Sequence, residues 1–370
     1  MLIELCDDLL NVVENIKDVN DLDAYNIDHI IDLMLSKKHI VYASRNLFQK
    51  ICDCEFISQR NRQIISYILN HYVDLYSSLS DQINLNIVIT ASNVINYDSG
   101  HYYIPLSESN KIHTAVLSTE TPTDFHFYET IFNFLKSTYF KESKLLFRFD
   151  NRPFGGGAAE QYLENIYKSN LVIFIISDSD KKYFNDKMGD TAKAVTKFTK
   201  YHCLSPIGCY VLNVGEKENL VPIDFYLAYN LSNQNLLKCI NSFNNNIEFM
   251  SYVDIKGGIK TKQVDKHNEE WDNLYKPFID ECGKLGLTSV SDDKFISGIG
   301  NKAADAAIDA VLNKNSTQAL NSTQKKQIDE LKKDVFSHIP SYIMDEWKSL
   351  YLKTINFGCY IEIGHVSFIA

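Results

Sequence analysis

Hydrophobic and polar positions follow three different rhythms along this chain. Over roughly the first 80 residues, "LIELCDDLLNVVENI" and "NRQIISYILNHYVDLY" set apolar side chains three and four apart, the spacing of a helix with one buried face. The middle changes character. "LNIVITAS" (85–92), "IHTAVLSTE" (112–120), "SKLLFRFD" (143–150), "LVIFIISDSD" (171–180) and "GCYVLNVGE" (208–216) are short and apolar, as strands are. Between the later ones, "DFHFYETIFNFLKSTYF" and "AAEQYLENIYKSN" return to helical spacing. Strand, helix, strand, helix, strand predicts βαβ units and a mainly parallel sheet. The run "LVIFII" suits a strand buried on both faces. From about residue 229 the chain turns polar and asparagine-rich ("NSFNNNIEF"). It becomes helical again through "NEEWDNLYKPFIDECGKL" and "KKQIDELKKDVFSHIPSYIMDEWKSLYLKTI", with "NKNSTQALNSTQKK" (313–326) as a loop or linker. The pattern predicts an α/β chain in three parts. A Rossmann-like core at 109–228 lies between a helical N-terminal region, 1–108, and a mostly helical C-terminal region, 229–370.

Composition narrows the picture. A length of 370 residues with 45% apolar content allows a large core, and a formal charge of −10 argues against an indiscriminate coat for nucleic acid. Arginine occurs only at positions 45, 60, 62, 148 and 152, so phosphate contacts would fall mostly to lysine. The opening "MLIELCDDLL" lacks the basic stretch of a signal peptide, and no apolar run approaches the ~18 residues of a membrane span. The expectation is a cytoplasmic protein with no membrane partner. Eight scattered cysteines without paired C-x-x-C elements point to reduced thiols rather than a zinc site.

The candidate chemistry is acidic and sits where predicted strands end. Glu120 closes "HTAVLSTE", with Asp124 four residues on at the start of a helix, where an N-cap role would also explain it. Asp178 and Asp180 tip the apolar strand, and Glu216 and Glu218 follow the next one. Gly155, Gly156 and Gly157 lie between a strand and a helix, where backbone can turn tightly or let a phosphate approach. Singly, each signal is as well explained by a solvated turn. Parallel strands end on one edge of a sheet, so together these carboxylates are expected to converge. A divalent cation, Mg²⁺ or Mn²⁺, is the usual remedy for their repulsion, and phosphoryl transfer or hydrolysis is the chemistry it serves.

This order of elements resembles the TOPRIM domain, in the branch found in OLD-type nucleases and related phage-defence proteins. The resemblance covers roughly residues 110 to 260. It equates Glu120 with the acidic residue ending that family's first strand and Gly155–Gly157 with its glycine-rich turn. Asp178 and Asp180 match its Asp-x-Asp, Asp124 the second acid of OLD-type members, and Glu216 or Glu218 a later acidic position. Lys256, in "YVDIKGGIKTK", is the best match to a lysine often needed further on. One residue departs from the family: the glycine that commonly follows the first glutamate is Thr121. The resemblance implies a TOPRIM-like fold and a Mg²⁺-dependent endonuclease. Its metal ligands would come from Glu120, Asp124, Asp178, Asp180, Glu216 and Glu218, and its catalytic set would add Lys256. It further implies a toxic effector of anti-phage defence acting on DNA or RNA, tRNA included. The chain has no G-x-x-x-x-G-K-[ST], so a sensing ATPase or a nucleic-acid-containing complex is expected on a separate chain, and a homo-oligomer fits equally.

Residues 181–200 carry six lysines against two aspartates, which offers Lys181, Lys182 and Lys187 to substrate phosphates. A solvated helix face is the plainer explanation. Arg148 and Arg152 flank the glycine turn and could join them, while Tyr183 and Phe184 offer rings to bases or to the core. Arg60 and Arg62 have no histidine four to six residues on, so the N-terminal region does not match HEPN ribonucleases. Three rivals stand beside the nuclease. A non-catalytic TOPRIM-like scaffold that regulates a partner accounts for Thr121. A nucleotide-sugar transferase also uses Asp-x-Asp but leaves Glu120, Asp124 and "GEKEN" unexplained. A dehalogenase-like phosphatase would open its domain with that motif.

Overall fold

Two mainly parallel sheets, each fed by helices, organise the chain. The computed structural model describes residues 1–363 apart from 78, 80, 81, 231, 261–268 and 289–294. The first sheet contains β1 (Leu2–Leu5), β2 (Ile40–Ala43), β3 (Asn86–Thr90), β4 (Asn96–Asp98) and β5 (His101–Pro105) in the order β2-β1-β3-β5-β4. Every neighbouring pair is parallel except β4 with β5. Residues 1–108 are therefore an α/β unit, which corrects the expectation of a helical N-terminal region. The opening "LIEL" has apolar residues that fit either period. It becomes a strand because β2 and β3 pair with it on both sides, burying Ile3 and Leu5. Helical structure begins only at Asp7. Gln59–Asn70 is a helix as its spacing predicts.

The second sheet contains β6 (Val116–Ser118), β8 (Asp150–Asn151), β9 (Ile173–Ser177) and β10 (Ile207–Val211) in the order β10-β9-β6-β8, all parallel. The intervening β7 (Leu146–Phe147) pairs instead with Cys359–Tyr360. The central strand β9 is buried at every position. One face of this sheet, with Val116, Ile173, Ile175 and Ile207, packs on Leu163, Val195 and Phe198 from the helices Ala159–Ser169 and Asp190–Tyr201. The other face meets the helices Pro122–Thr138 and Ser341–Gly358, where the rings of Phe174 and Phe357 lie 4.9 Å apart. Helices cover both faces, as an all-parallel sheet requires.

The C-terminal region is mostly helical, with Glu269–Lys284, Ala303–Leu312, Ser322–Lys333 and Ser341–Gly358 as its longer helices. The stretch read as a loop over 313–326 is irregular only to Asn321. There the Asn321 side chain accepts from the Gln324 amide at 2.9 Å and starts a helix. Among the described residues no helix is long and apolar enough to cross a membrane.

Candidate acidic site at the carboxyl edge of the second sheet

The register puts the acidic residues on one edge. Ser118 pairs with Ile175, and Val211 with Ser177. Glu120 and Asp178 thus leave neighbouring strands at nearly the same level, with the 212–218 segment beside them. Hydrogen bonds then stitch the loops together. The amides of Ser179 and Asp180 both donate to the Gly215 carbonyl at 3.1 and 2.9 Å, and the Ser179 hydroxyl donates to the Val214 carbonyl at 2.5 Å. The amide of Lys217 donates to Asp178 Oδ1 at 3.0 Å. Asp180 adopts a left-handed φ of 56°, unusual without glycine. Its side chain fits because residue 189 is glycine: a Cβ there would lie 2.1 Å from Asp180 Oδ2. The glycine run behaves unevenly. Gly155 has φ 64° and donates to the Glu120 carbonyl at 3.2 Å, tying the turn to the strand tip. Gly156 and Gly157 are exposed beside it.

The electrostatics follow from this crowding. Burial first, then the charges of Asp180 and Asp124, push the Glu120 carboxyl up to about 7. Burial, then Glu218, Glu120 and Glu216, raise Asp178 well above the carboxylate range, and burial with Glu216 raises Asp180. Glu218 is 2% exposed, neither of its carboxylate oxygens has a hydrogen bond, and burial pushes it up to about 7 against the pull of Lys256. Lys256 bridges the cluster, with Nζ 3.2 Å from Glu216 and 3.6 Å from Glu218. Burial also works against ionisation of Glu216, but Lys182 and Lys256 outweigh it and lower its pKa. Shifts of this kind, gathered in one place, are typical of functional sites.

Several expected site residues are used otherwise. Asp124 caps its helix, accepting from the Thr121 amide at 2.8 Å, and its other oxygen takes Lys217 Nζ at 2.7 Å. Its place in the first turn holds, as the third helical residue of a capping box, while the N-cap itself is Thr121. Arg148 donates to the Ser36 carbonyl, anchoring the N-terminal unit. Arg152 reaches Ser169 at 2.8 Å and Asp150 at 3.9 Å, so neither arginine joins the acidic edge. Lys181 donates to the Phe184 carbonyl at 3.1 Å, and Lys182 lies 3.4 Å from Glu216 and 3.8 Å from Asp254. Lys193 and Lys197 pair with Asp190 and Glu160, so much of the lysine run is neutralised by local acids. Lys187 is exposed.

Sequence reasoning missed Lys217, Asp254 and Asp305. Lys217 is buried, holds Asp124 and Asp305 at 2.7 and 2.5 Å, and lies 5.4 Å from the centre of the Phe127 ring. Nothing in the sequence near Lys217 or Asp305 marks either of them.

Among the described residues no three His, Cys, Asp or Glu side chains stand close enough to hold a metal ion directly. Lys256 occupies the ground between two of them, and Asp124 is turned to Lys217. The donor set nevertheless fits a hard cation. All its ligating atoms are oxygens, and the buried Glu218 carboxylate has no hydrogen bond to satisfy it. Comparison with protein-family models, with curated proteins and with solved structures gives no match.

Proposed function

We propose that this chain is a divalent-metal-dependent nuclease that hydrolyses phosphodiesters at the carboxyl edge of its second sheet, on a TOPRIM-like core. The observation that carries the reading is the meeting of Glu120, Asp178, Asp180, Glu216 and Glu218 around Lys256, with four of the five carboxyls pushed upward. The ligands of the cation would come from among these five, with Lys256 moved aside from Glu216 and Glu218, because no three of them stand together as they are. Mg²⁺ or Mn²⁺, when bound, supplies Lewis-acid stabilisation of the attacking and leaving oxygens. The chain contributes the rest. Lys217 fixes Asp178 through its backbone amide. Glu120, pushed up to about 7 in the metal-free cluster, would be held ionised once a cation is bound beside it. Lys256 is held protonated by Glu218 and Glu216 despite burial, and offers a fixed positive charge to a phosphate oxygen.

Resemblance to phage-defence effectors supports a further part of the proposal, a toxic effector held silent by a partner chain. Mg²⁺- or Mn²⁺-stimulated cleavage of plasmid, single-stranded DNA and tRNA tests the chemistry. Activity lost in Asp178→Asn supports it, and inertness on every substrate refutes it. Expression of the chain alone tests the biology: toxicity should depend on Asp178 and be relieved by the partner.

One observation favours the non-catalytic scaffold. Lys182, Lys217 and Lys256 already neutralise much of the cluster, as in a structural ion-pair network. An Asp178→Asn chain that keeps every partner while the wild type cleaves nothing would establish that alternative.

A further inference from the structure

Four residues beyond Asp180, the same loop turns an aromatic ring out into solvent. Phe184 is 65% exposed, the most exposed phenylalanine among the described residues. Its neighbour Tyr183 instead packs against the core. The exposure is not that of a loose loop. The Phe184 amide donates to Glu248 at 3.2 Å, and its carbonyl accepts from Lys181 at 3.1 Å. Asn185 donates to Glu270 at 2.9 Å, and the Tyr275 hydroxyl donates to the Lys182 carbonyl at 2.9 Å. An apolar ring held outward at this cost in solvation, with Lys181 Nζ 5.9 Å from its centre and its loop bonded at four points, is pre-organised for contact.

The ring lines a cavity of about 740 Å³, within the size range of ligand pockets. Its other walls include Asn246, Asn273, Glu248, Glu270 and Tyr252. Asn246 spends its Oδ1 on the Phe249 amide, which leaves its NH₂ as the end for a ligand. Two glutamates and no lysine or arginine line this space, so a phosphate is repelled from it. An uncharged planar group with donors and acceptors on its edge is what these walls suit. Ser251, on the cavity wall, accepts from the Gly215 amide at 2.7 Å, and the Gly215 carbonyl takes the Ser179 and Asp180 amides, so one backbone segment joins this cavity to the acidic edge that suits the phosphate and its cation.

We propose that Phe184 and this cavity receive an unpaired nucleobase next to the scissile phosphate, so the substrate is single-stranded nucleic acid. The proposal rests on the phosphodiesterase reading above and adds the strandedness of the substrate. A base inside a duplex is stacked on both faces and cannot present one to the ring.

The test uses the full chain carrying Asp178→Asn, so that bound strands are not cut. Fluorescence anisotropy follows labelled single-stranded DNA, single-stranded RNA and duplex DNA. Phe184→Ala should weaken single-strand binding roughly 5- to 150-fold, the range for base–aromatic stacking, and leave duplex binding unchanged. Phe184→Trp should restore it, and the thermal melt of each variant reports on folding. The DNA and RNA arms show which sugar the site accepts. If wild-type protein cleaves and Phe184→Ala binds single strands as tightly as its parent, the stacking site is refuted while the nuclease stands. If the wild-type protein neither binds nor cleaves any of these strands, both proposals fall.

Discussion

Replacing Glu218 with glutamine measures the cost of gathering like charges at the sheet edge. The side chain is 2% exposed, its oxygens lack hydrogen bonds, and its carboxyl is pushed from an ordinary 4.5 up to about 7. The attraction of Lys256 is already contained in that shift. The folded chain holds this proton more tightly than the unfolded chain does. Stability is therefore undiminished below about 4.5, falls as pH rises, and reaches its full loss above about 7. At ~1.4 kcal/mol per pH unit, the loss by pH 8 is about 3 kcal/mol. Glutamine imitates the protonated form at every pH. Glu218→Gln should thus be about 3 kcal/mol more stable than wild type at pH 8, and less than about 1 kcal/mol more stable at pH 5. Thermal melts in EDTA at the two pH values give the comparison. A gap equal at both, or a variant less stable at pH 8, would refute the account of this site as strained by its own charge.

The remaining predictions concern the neighbours of this residue. The double variant Asp178→Asn, Asp180→Asn should lose all Mg²⁺-stimulated cleavage and the rise in melting temperature that Mg²⁺ gives the wild type; retained activity would reduce both residues to a turn. Lys217→Met leaves Asp124 and Asp305 facing each other without their shared cation and should cost about 3 kcal/mol in a urea titration, whereas a neutral result would show that the bridge contributes nothing. Gly189→Ala pushes a methyl group onto Asp180 Oδ2, 2.1 Å away, so it should abolish cleavage for a stability loss of about 1–3 kcal/mol. Full activity in that variant would free Asp180 from any role.

What could be read in advance was periodic or positional. "LVIFII" announced a doubly covered strand because no polar residue interrupts it, and β9 is one. Glu120, Asp178 and Asp180 were legible as neighbours because parallel strands must end together, and Lys256 came through resemblance alone. The strand at Leu2–Leu5 was not legible, since four residues fit either period until β2 and β3 are seen to flank them. Arg148 and Arg152 looked suited to phosphate by proximity in sequence. Their long side chains turn elsewhere instead, Arg148 to the Ser36 carbonyl and Arg152 to the Ser169 hydroxyl. Lys217 was hidden by its setting: between two glutamates it reads as a surface residue, yet it is buried by a helix contributed almost ninety residues later.

That late contribution bears on how such a protein can be inherited. Asp305 comes from the helix Ala303–Leu312 and Lys256 from the segment before Glu269–Lys284, while Phe357 packs on Phe174 behind the sheet. A Cβ at Gly208 would lie 2.5 Å from the Phe357 ring, so the sheet is shaped to receive that helix. Residues 109–228 cut out alone would keep all six acidic residues but lose Lys256, and Lys217 would lose one of its two acids. The excised piece would keep only Lys182 and Lys217 against those six acids. Recombination that exchanged the core without its tail would deliver a sheet edge short of Lys256 and of the second acid on Lys217.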